Sequence, residues 1–571
     1  MDYQAAYREW LNEPGLDEET RRELRAIKDD PQEIEDRFYR ELSFGTAGLR
    51  GLLGAGTNRM NAYVVRRATQ GLCDYLSGVP GARERGVCIA FDTRHGSALF
   101  ARETAAVLAA NGFRACLFGT PHAVPQLSYG LRRLRCMAGV VITASHNPKQ
   151  YNGYKVYWEH GGQVAPAQAD AILACISRAP MFGVPAEPDS PLITLLGEAE
   201  DEAYYSAAES VMLCREAVLH TGARLRAVYT PLHGTGRAPV AALLERAGVL
   251  NLRVVPEQAE PDGDFPTVAA PNPEDPAAFR LAIALAEECG ASVCLATDPD
   301  ADRLGVAVKT REGRWETLTG NQIGCILLEH ILSSLSAQQR LPENGAVVKS
   351  LVSTQLADAI AAAYGVTLEN VMTGFRFISE KIDLWQRNGE KTFLFGFEES
   401  FGFLAGGYSR DKDGILAALL VAEACVICQN RGMTLYDMLQ DIYARYGFYK
   451  EKVQSYTLEG KVGLERITAC MELLRGEPPA AIGGDAVLCR EDYKSRAAYT
   501  PGGPAEPLAL PQADMLRFLL ASGAWLVVRP SGTEPKLKLY IGASAPTESA
   551  ADAALGTLFA DIDARIRAAL A

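Results

Sequence analysis

From Gly51 onward the chain alternates short apolar, β-branched runs with amphipathic stretches, and this alternation limits its fold more than any other feature. GVCIAFD reads as a strand, SALFARETAAVLAANG as a helix and RACLFG as the next strand. Strands alternating with helices build a mostly parallel sheet with helices on both faces. The pattern breaks at AEPDSPLI, and a helix around Glu198 to Glu216 leads into a second unit. That unit holds LRAVYTPLHGTG and a helix, the Pro-rich loop EPDGDFPTVAAPNPEDP, another helix and the strand ASVCLATDPDADR. A third unit starts near Glu316 and carries VMTGFRFISEKI and KTFLFGFEES. The loops GEPPAAIGGD and TPGGPAEPLALP mark a last segment of different texture, which ends in WLVVRPSGTEPKLKLYIGAS and a helix. Ahead of all this, the N-terminus reads as helices ending near Phe38.

A chain of 571 residues is too long for a single core. The expected class is therefore α/β. Three similar mixed α/β domains (1–205, 206–315 and 316–450) precede an α+β domain at 451–571. Their similarity is one of pattern rather than alignable sequence. A net charge of −13 argues against binding a nucleic-acid backbone, so an anionic ligand needs a local cluster of Arg and Lys. The N-terminus lacks the basic start and apolar stretch of a signal peptide, and no run approaches the length of a membrane span. Thirteen scattered cysteines fit reduced thiols in the cytoplasm. The pair Cys425 and Cys428 lies in the apolar helical run ILAALLVAEACVIC and reads as core packing.

Several loops carry chemistry. In VVITASHNPKQYNGYKVYW, the run Val140 to Ile142 reads as a strand covered on both faces, and Pro148 prevents its continuation. Ser145 and His146 then sit at the carboxyl end of a strand, where open α/β sheets bind ligands. A serine hydrolase is disfavoured. Neighbours in extended chain point to opposite sides, so His146 is poorly placed as base, and no G-x-S-x-G elbow is present. In TDPDADRLG, Asp298, Asp300 and Asp302 would share one face of an ideal strand but spread over roughly 13 Å. Binding one ion needs a curled loop, which Pro299 favours. A calcium EF-hand fails, because its sixth position is Arg303 and its twelfth Lys309. Three acids followed by an arginine suit Mg²⁺ plus a phosphate.

RPSGTEPK follows the strand WLVV, and Arg529, Ser531, Gly532, Thr533 and Lys536 there combine hydroxyls, amides and charge suited to a phosphate. Glu398 and Ser400 in GFEES follow the strand KTFLF and suit sugar hydroxyls, or a plain surface turn. HGTGRAP lacks the third glycine of a dinucleotide fingerprint, and no Walker motif occurs.

FGTAGLRG (Phe44 to Gly51), TASHNP, DPDADR, FEES and RPSGTEPK occur in that order along the chain. Together they closely resemble the α-D-phosphohexomutase superfamily, and most closely its long bacterial phosphoglucomutase branch. The resemblance covers essentially the whole sequence. It implies four domains around a central cleft, with Ser145 as phosphoserine and Mg²⁺ held by Asp298, Asp300, Asp302 and a phosphoserine oxygen. Thr46 belongs to the first motif and joins the expected substrate-binding set. Glu398 and Ser400 would grip sugar hydroxyls, while Arg529, Ser531, Gly532 and Thr533, with Lys536 beside them, would hold the non-reacting phosphate. Arg50, Arg303 and His146 would surround the reacting one. Lys155 and Lys412 match the general acid and base, and Gly374, Phe375 and Arg376 a loop that distinguishes anomeric positions. FEES for GEES and DPDADR for DGDGDR are the departures, and they blur the choice of sugar.

The implied reaction interconverts α-D-glucose 1-phosphate and glucose 6-phosphate, with glucose 1,6-bisphosphate as intermediate and activator. Phosphomannomutase, phosphopentomutase, a metal-dependent phosphatase and a non-catalytic sugar-phosphate binder are the competing readings. The expected partner is a small sugar phosphate, with no nucleic acid and no membrane. The expected assembly is a monomer or weak homodimer, with hinge motion of the last domain.

Overall fold

The structure is a computed structural model and describes residues 2–571 except 43–44, 46–47, 459 and 532–535. Three helices open the chain (Tyr3–Asn12, Glu18–Ala26 and Pro31–Phe38), each started by an aspartate whose side chain accepts from first-turn amides. They close over Trp10 and Phe38, which pack edge-on and reach Tyr63 and Phe182 of the first sheet unit.

The first unit is a six-stranded sheet of β1 (Gly48–Leu52), β2 (Val87–Phe91), β3 (Ala115–Phe118), β4 (Ala138–Ile142), β5 (Tyr151–Trp158) and β6 (Ile193–Leu196), in the order β1-β5-β4-β2-β3-β6. From β4 to β6 the neighbours are parallel, and β5 and β1 add antiparallel at one edge. The second unit comprises β7 (Arg226–Thr230), β8 (Asn251–Val254), β9 (Val293–Thr297), β10 (Leu304–Lys309) and β11 (Trp315–Leu318), ordered β11-β10-β9-β7-β8. Again β9, β7 and β8 run parallel while β10 and β11 are antiparallel. The third unit has β12 (Gly345–Ser350), β13 (Thr367–Val371), β14 (Thr392–Glu398) and β15 (Gly402–Ala405), with only β15 antiparallel.

One construction is thus used three times. A parallel strand buried at its carboxyl end and rich in β-branched or aromatic residues leads into a short loop and returns as an antiparallel strand. The loops are 143–150 between β4 and β5, 298–303 between β9 and β10, and 399–401 between β14 and β15. Each sits at the carboxyl end of a parallel strand.

The last unit is an antiparallel sheet: β16 (Phe448–Thr457), β17 (Ala481–Ile482), β18 (Asp485–Asp492), β19 (Ala497–Tyr499), β20 (Glu506–Pro507), β21 (Leu516–Leu520), β22 (Trp525–Pro530) and β23 (Lys536–Ala545). Helices Gly460–Gly476 and Glu548–Leu570 pack with it around one core. β11 straddles position 316 and β16 straddles position 451, so the second sheet closes at Leu318 and the fourth opens at Phe448.

Helix Gly414–Asn430 is apolar nearly all round and is buried between the second and third units, contacting β9, β10 and β15. Cys425 and Cys428 lie within it as core side chains. No single helix among the described residues is long and apolar enough to cross a membrane.

Candidate active site

Ser145 is the pivot. Its φ of 51° puts a non-glycine residue in the left-handed region, which costs roughly 1 kcal/mol and bends the loop sharply. Two contacts hold the bend. The Ser145 N–H donates to Thr143 Oγ1 at 2.8 Å, and Arg94 gathers the loop from beneath. One Arg94 nitrogen donates to the carbonyls of Ser145 and Asn147, the other to Pro148 at 2.9 Å and Tyr151 at 3.2 Å. Asp92, at the end of β2, pairs with Arg94 at 3.2 Å and accepts from Ser97 Oγ at 2.6 Å.

The same bend corrects one sequence expectation. His146 does not point away from Ser145; its Nδ1 lies 3.3 Å from Ser145 Oγ. The reason is the left-handed turn, since opposite-pointing neighbours are a property of extended chain. The Ser145 hydroxyl itself donates to Asp298 Oδ2 at 2.6 Å, so its single proton is committed there and His146 Nδ1 is left as the donor. Burial, then Arg303 and Arg50, push His146 well below its usual range, so it is a neutral ring.

The aspartate loop curls as one-ion binding requires. Ala301, at φ 49°, donates its N–H to the Asp298 carbonyl at 2.9 Å and closes a tight turn. One carboxylate oxygen from each of Asp298, Asp300 and Asp302 then lies within 4.8 Å of the others. That compares with about 4.2 Å across an ion bound at about 2.1 Å. All three side chains are buried. Asp298 Oδ1 accepts from the Arg303 N–H at 3.0 Å, but Asp300 Oδ1 and Asp302 Oδ1 have no hydrogen-bond partner. Two orphaned buried carboxylate oxygens in an all-oxygen cluster fit a hard divalent cation.

Cations answer the acids. Lys155 Nζ lies 2.9 Å from Asp300 Oδ2, and Lys412 Nζ 2.6 Å from Asp302 Oδ2. Burial and the neighbouring Asp300 and Asp302 push Asp298 well above the usual carboxylate range. Burial acts on Asp300 in the same direction, yet Lys155 and the hydrogen bonds to it prevail and hold it low. Burial works against the charge of Lys412, but Asp302 and Asp411 outweigh it and raise the ammonium above its ordinary value. A Cβ on Gly402 would fall 2.5 Å from Lys412 Cδ, so the missing side chain there leaves the lysine its channel. Arg303 pairs with Glu274 from the Pro-rich loop, and Arg50 donates to Asn147 Oδ1 at 3.3 Å.

The loop is tied to three units at once. Val124 N donates to Asp300 O at 2.9 Å, Thr235 N to Pro299 O at 2.9 Å, and Gly414 N to Ala301 O at 3.1 Å. Asp411 supports Lys412 by accepting from Tyr157 OH at 2.8 Å, and Asp413 caps helix Gly414–Asn430 while accepting from Tyr204 OH.

A second group of predicted residues gathers where the third and fourth units meet. Glu398 Oε1 accepts from the Gly374 N–H at 2.7 Å, and Arg529 donates to Thr373 Oγ1 beside it. Burial, then Glu399, raise Glu398 to about 7, while Lys412 and Arg303 oppose the rise. Arg376 stacks over Phe377 and lies close enough to Arg529 for each charge to feel the other. Ser400 is half-buried in the turn after β14, and the Ser531 N–H donates to Lys536 O at 2.7 Å. Phe375 is only 3% exposed and packs into the core, so within its trio it anchors the loop rather than lining it. Thr46, Gly532 and Thr533 fall outside the described residues.

Sequence reasoning passed over Asp92, Arg94, Thr143, Glu274, Asp411 and Asp413. Asp92 and Arg94 follow the strand VCIAF in DTRHGS, so the strand-end rule that found Ser145 could have found them. Thr143, the first residue after β4, carried the same signal, while Glu274, Asp411 and Asp413 had none.

Four family models match the chain in order: phosphoglucomutase/phosphomannomutase α/β/α domain I at 41–181, domain II at 202–313, domain III at 319–446 and the C-terminal domain at 487–555. A phosphoglucomutase of Staphylococcus saprophyticus is 38% identical over 512 residues, covering 88% of this chain and 90% of that one. A phosphoglucomutase of Staphylococcus aureus strain COL is 34% identical over 525 residues, covering 90% and 92%. Among solved structures, a putative phosphomannomutase from Thermus thermophilus superposes with a TM-score of 0.67 at 24% identity, covering 92% of this chain and 99% of that one. The open form of Paramecium pp63/parafusin gives 0.67 at 17% identity, covering 93% and 95%. Both structures share the fold.

Proposed function

Since the chain belongs to the phosphoglucomutase/phosphomannomutase family, we propose that it interconverts α-D-glucose 1-phosphate and D-glucose 6-phosphate through a phosphoserine at Ser145. The reaction class, isomerisation by phosphoryl transfer, follows from that membership. The observation that carries the residue-level reading is the 2.6 Å contact from Ser145 Oγ to a buried three-aspartate cluster met by two lysines.

Asp298, Asp300 and Asp302, with an oxygen on Ser145, would hold Mg²⁺, which supplies positive charge next to the transferring phosphoryl group. The remaining work falls to side chains. A phosphoserine carries about −1.5 to −2 charges. Arg50, Arg303, Lys155 and Lys412 offset the repulsion between it and an incoming sugar phosphate, and His146 donates a neutral hydrogen bond. In the first half-reaction the Ser145 O–P bond breaks, a sugar O–P bond forms, and Lys155 gives a proton to Ser145 Oγ as it takes up the one the sugar hydroxyl loses. The product is glucose 1,6-bisphosphate. After the sugar turns over, its other phosphoryl group moves to Ser145 Oγ, and Lys412, which Asp302 keeps protonated, gives a proton to the departing sugar oxygen, the proton that Ser145 loses restoring its charge. Glu398 and Ser400 bind sugar hydroxyls, and Arg529, Ser531, Gly532, Thr533 and Lys536 bind the phosphate that does not react. Burial of Ser145 keeps water from the phosphoserine.

Thirteen unpaired thiols, most of them buried, support a reducing compartment, the cytoplasm. Incubation with glucose 1,6-bisphosphate should add one phosphoryl group to the intact mass, mapped to Ser145. A label at any other residue, or steady phosphate release without isomer, would replace this reading. Comparing kcat/KM for glucose, mannose, ribose and deoxyribose 1-phosphates should favour glucose.

A further inference from the structure

Two arginines at the seam between the first and third units have no role in that chemistry. Arg132 lies in the last turn of helix Val124–Arg133, and Arg410 lies two residues before Lys412. Arg410 Nη1 donates to the carbonyls of Gly407 at 2.7 Å and Ser409 at 2.8 Å, and Arg132 Nη1 to those of Gly407 at 3.2 Å and Tyr408. Gln386 Oε1 accepts from Arg410 Nη2 and also from Arg132 Nη2, the latter at 3.4 Å. Two guanidinium groups therefore converge on one neutral amide oxygen.

Neither arginine forms an ion pair among the described residues. The nearby carboxylate of Asp383 is taken by Arg387 at 2.6 Å. Arg410 is 1% exposed, and its Nε is buried with no partner. Burial, then Arg132, lower the Arg410 guanidinium to about 9. Removing two adjacent cations from water with no carboxylate in contact, Asp383 acting on both only from a distance, is costly, and a guanidinium fork matches the oxygens of a phosphate group. Room is present. Gly407 and Gln386 are exposed, and a Cβ on Gly407 would meet nothing within 4 Å. Gln386 also lies toward the far end of helix Phe375–Asn388 from Gly374, a separation of roughly 18 Å at about 1.5 Å per residue.

The geometry points to a second anion site, in which Arg132, Arg410 and the position now held by Gln386 Oε1 bind the phosphate group of a small molecule, free or esterified. The site acts on the reaction centre through the loop it shares with Asp411 and Lys412. It does not depend on the sugar or on the role of Ser145.

Calorimetric titration of the full-length protein with inorganic phosphate should show a binding class that survives Arg529→Gln but weakens at least tenfold in Arg132→Gln. Gln386→Glu installs a carboxylate between the guanidiniums; it should raise Tm and abolish the same class. Superimposable isotherms for the wild type, Arg132→Gln and Gln386→Glu would overturn the site, as would a wild type whose every class is lost in Arg529→Gln. Glycerol 3-phosphate run alongside distinguishes the source. Tighter binding than inorganic phosphate assigns the site to an ester, weaker binding to the free anion.

Discussion

The two ends of the proposed site are built differently. At the Ser145 end, three units send hydrogen bonds into a single aspartate loop, Arg94 fixes the serine loop from below, and the charges are nearly all paired. At the far end the fourth unit meets the third through an apolar patch, Leu351, Val352 and Met372 against Tyr493, Met515, Trp525 and Tyr540, and through Arg529 on Thr373. The chain enters that unit through Gly447, whose φ of 97° suits a turn that only glycine adopts freely. The chemical end is preassembled, as electrostatic stabilisation of a phosphoryl transition state demands. In the proposed reaction the far end closes around the sugar.

If that contrast holds, damage at the Ser145 end should appear in kcat and damage at the far end in KM. The largest effect belongs to Ser145→Ala, with turnover falling by about four orders of magnitude or more. Full turnover with bisphosphate present would break the comparison. Lys412→Met should follow, with kcat down by about 10²–10⁴ and KM little changed, measured in steady state. Arg529→Gln removes a charge-assisted contact worth about 1.5–3 kcal/mol, so KM should rise by about 10–100-fold while kcat holds within a few-fold. An equal fall in kcat would place Arg529 in the chemistry instead.

The smallest expected effect is in pH. In the proposed role Glu398 must be ionised to accept from sugar hydroxyls, and its value is raised to about 7. As pH falls through about 7 the carboxylate takes up a proton, so kcat/KM should decline on the acid side, by at most about tenfold per unit, and level off above it. In Glu398→Gln that limb should vanish. An unchanged limb would move the titration to another group.

The same contrast explains how much the sequence disclosed. Ser145 and the three aspartates were legible because each follows a buried strand halted by a breaker, and strand ends in such sheets face the ligand; Glu398, the last residue of its own strand, was singled out by the resemblance. The curl of DPDADR followed from arithmetic on ideal strand length. The placement of His146 was misread because a left-handed serine lies outside what strand periodicity can express. Glu274, Asp411 and Asp413 stayed hidden for another reason. Asp411 and Asp413 reach the site from the third unit and Glu274 reaches Arg303 across the second, through contacts fixed only by tertiary packing. The interior position of Phe375 likewise depends on how its helix docks, which local pattern does not encode.

The aspartate loop has a thermodynamic consequence as well. Because units one, two and three each donate a backbone N–H to residues 299–301, unfolding any one of them strips partners from a turn that the other two also need. Those three units should melt as one cooperative block, while the C-terminal unit, strung on behind a single glycine, is free to melt at its own temperature.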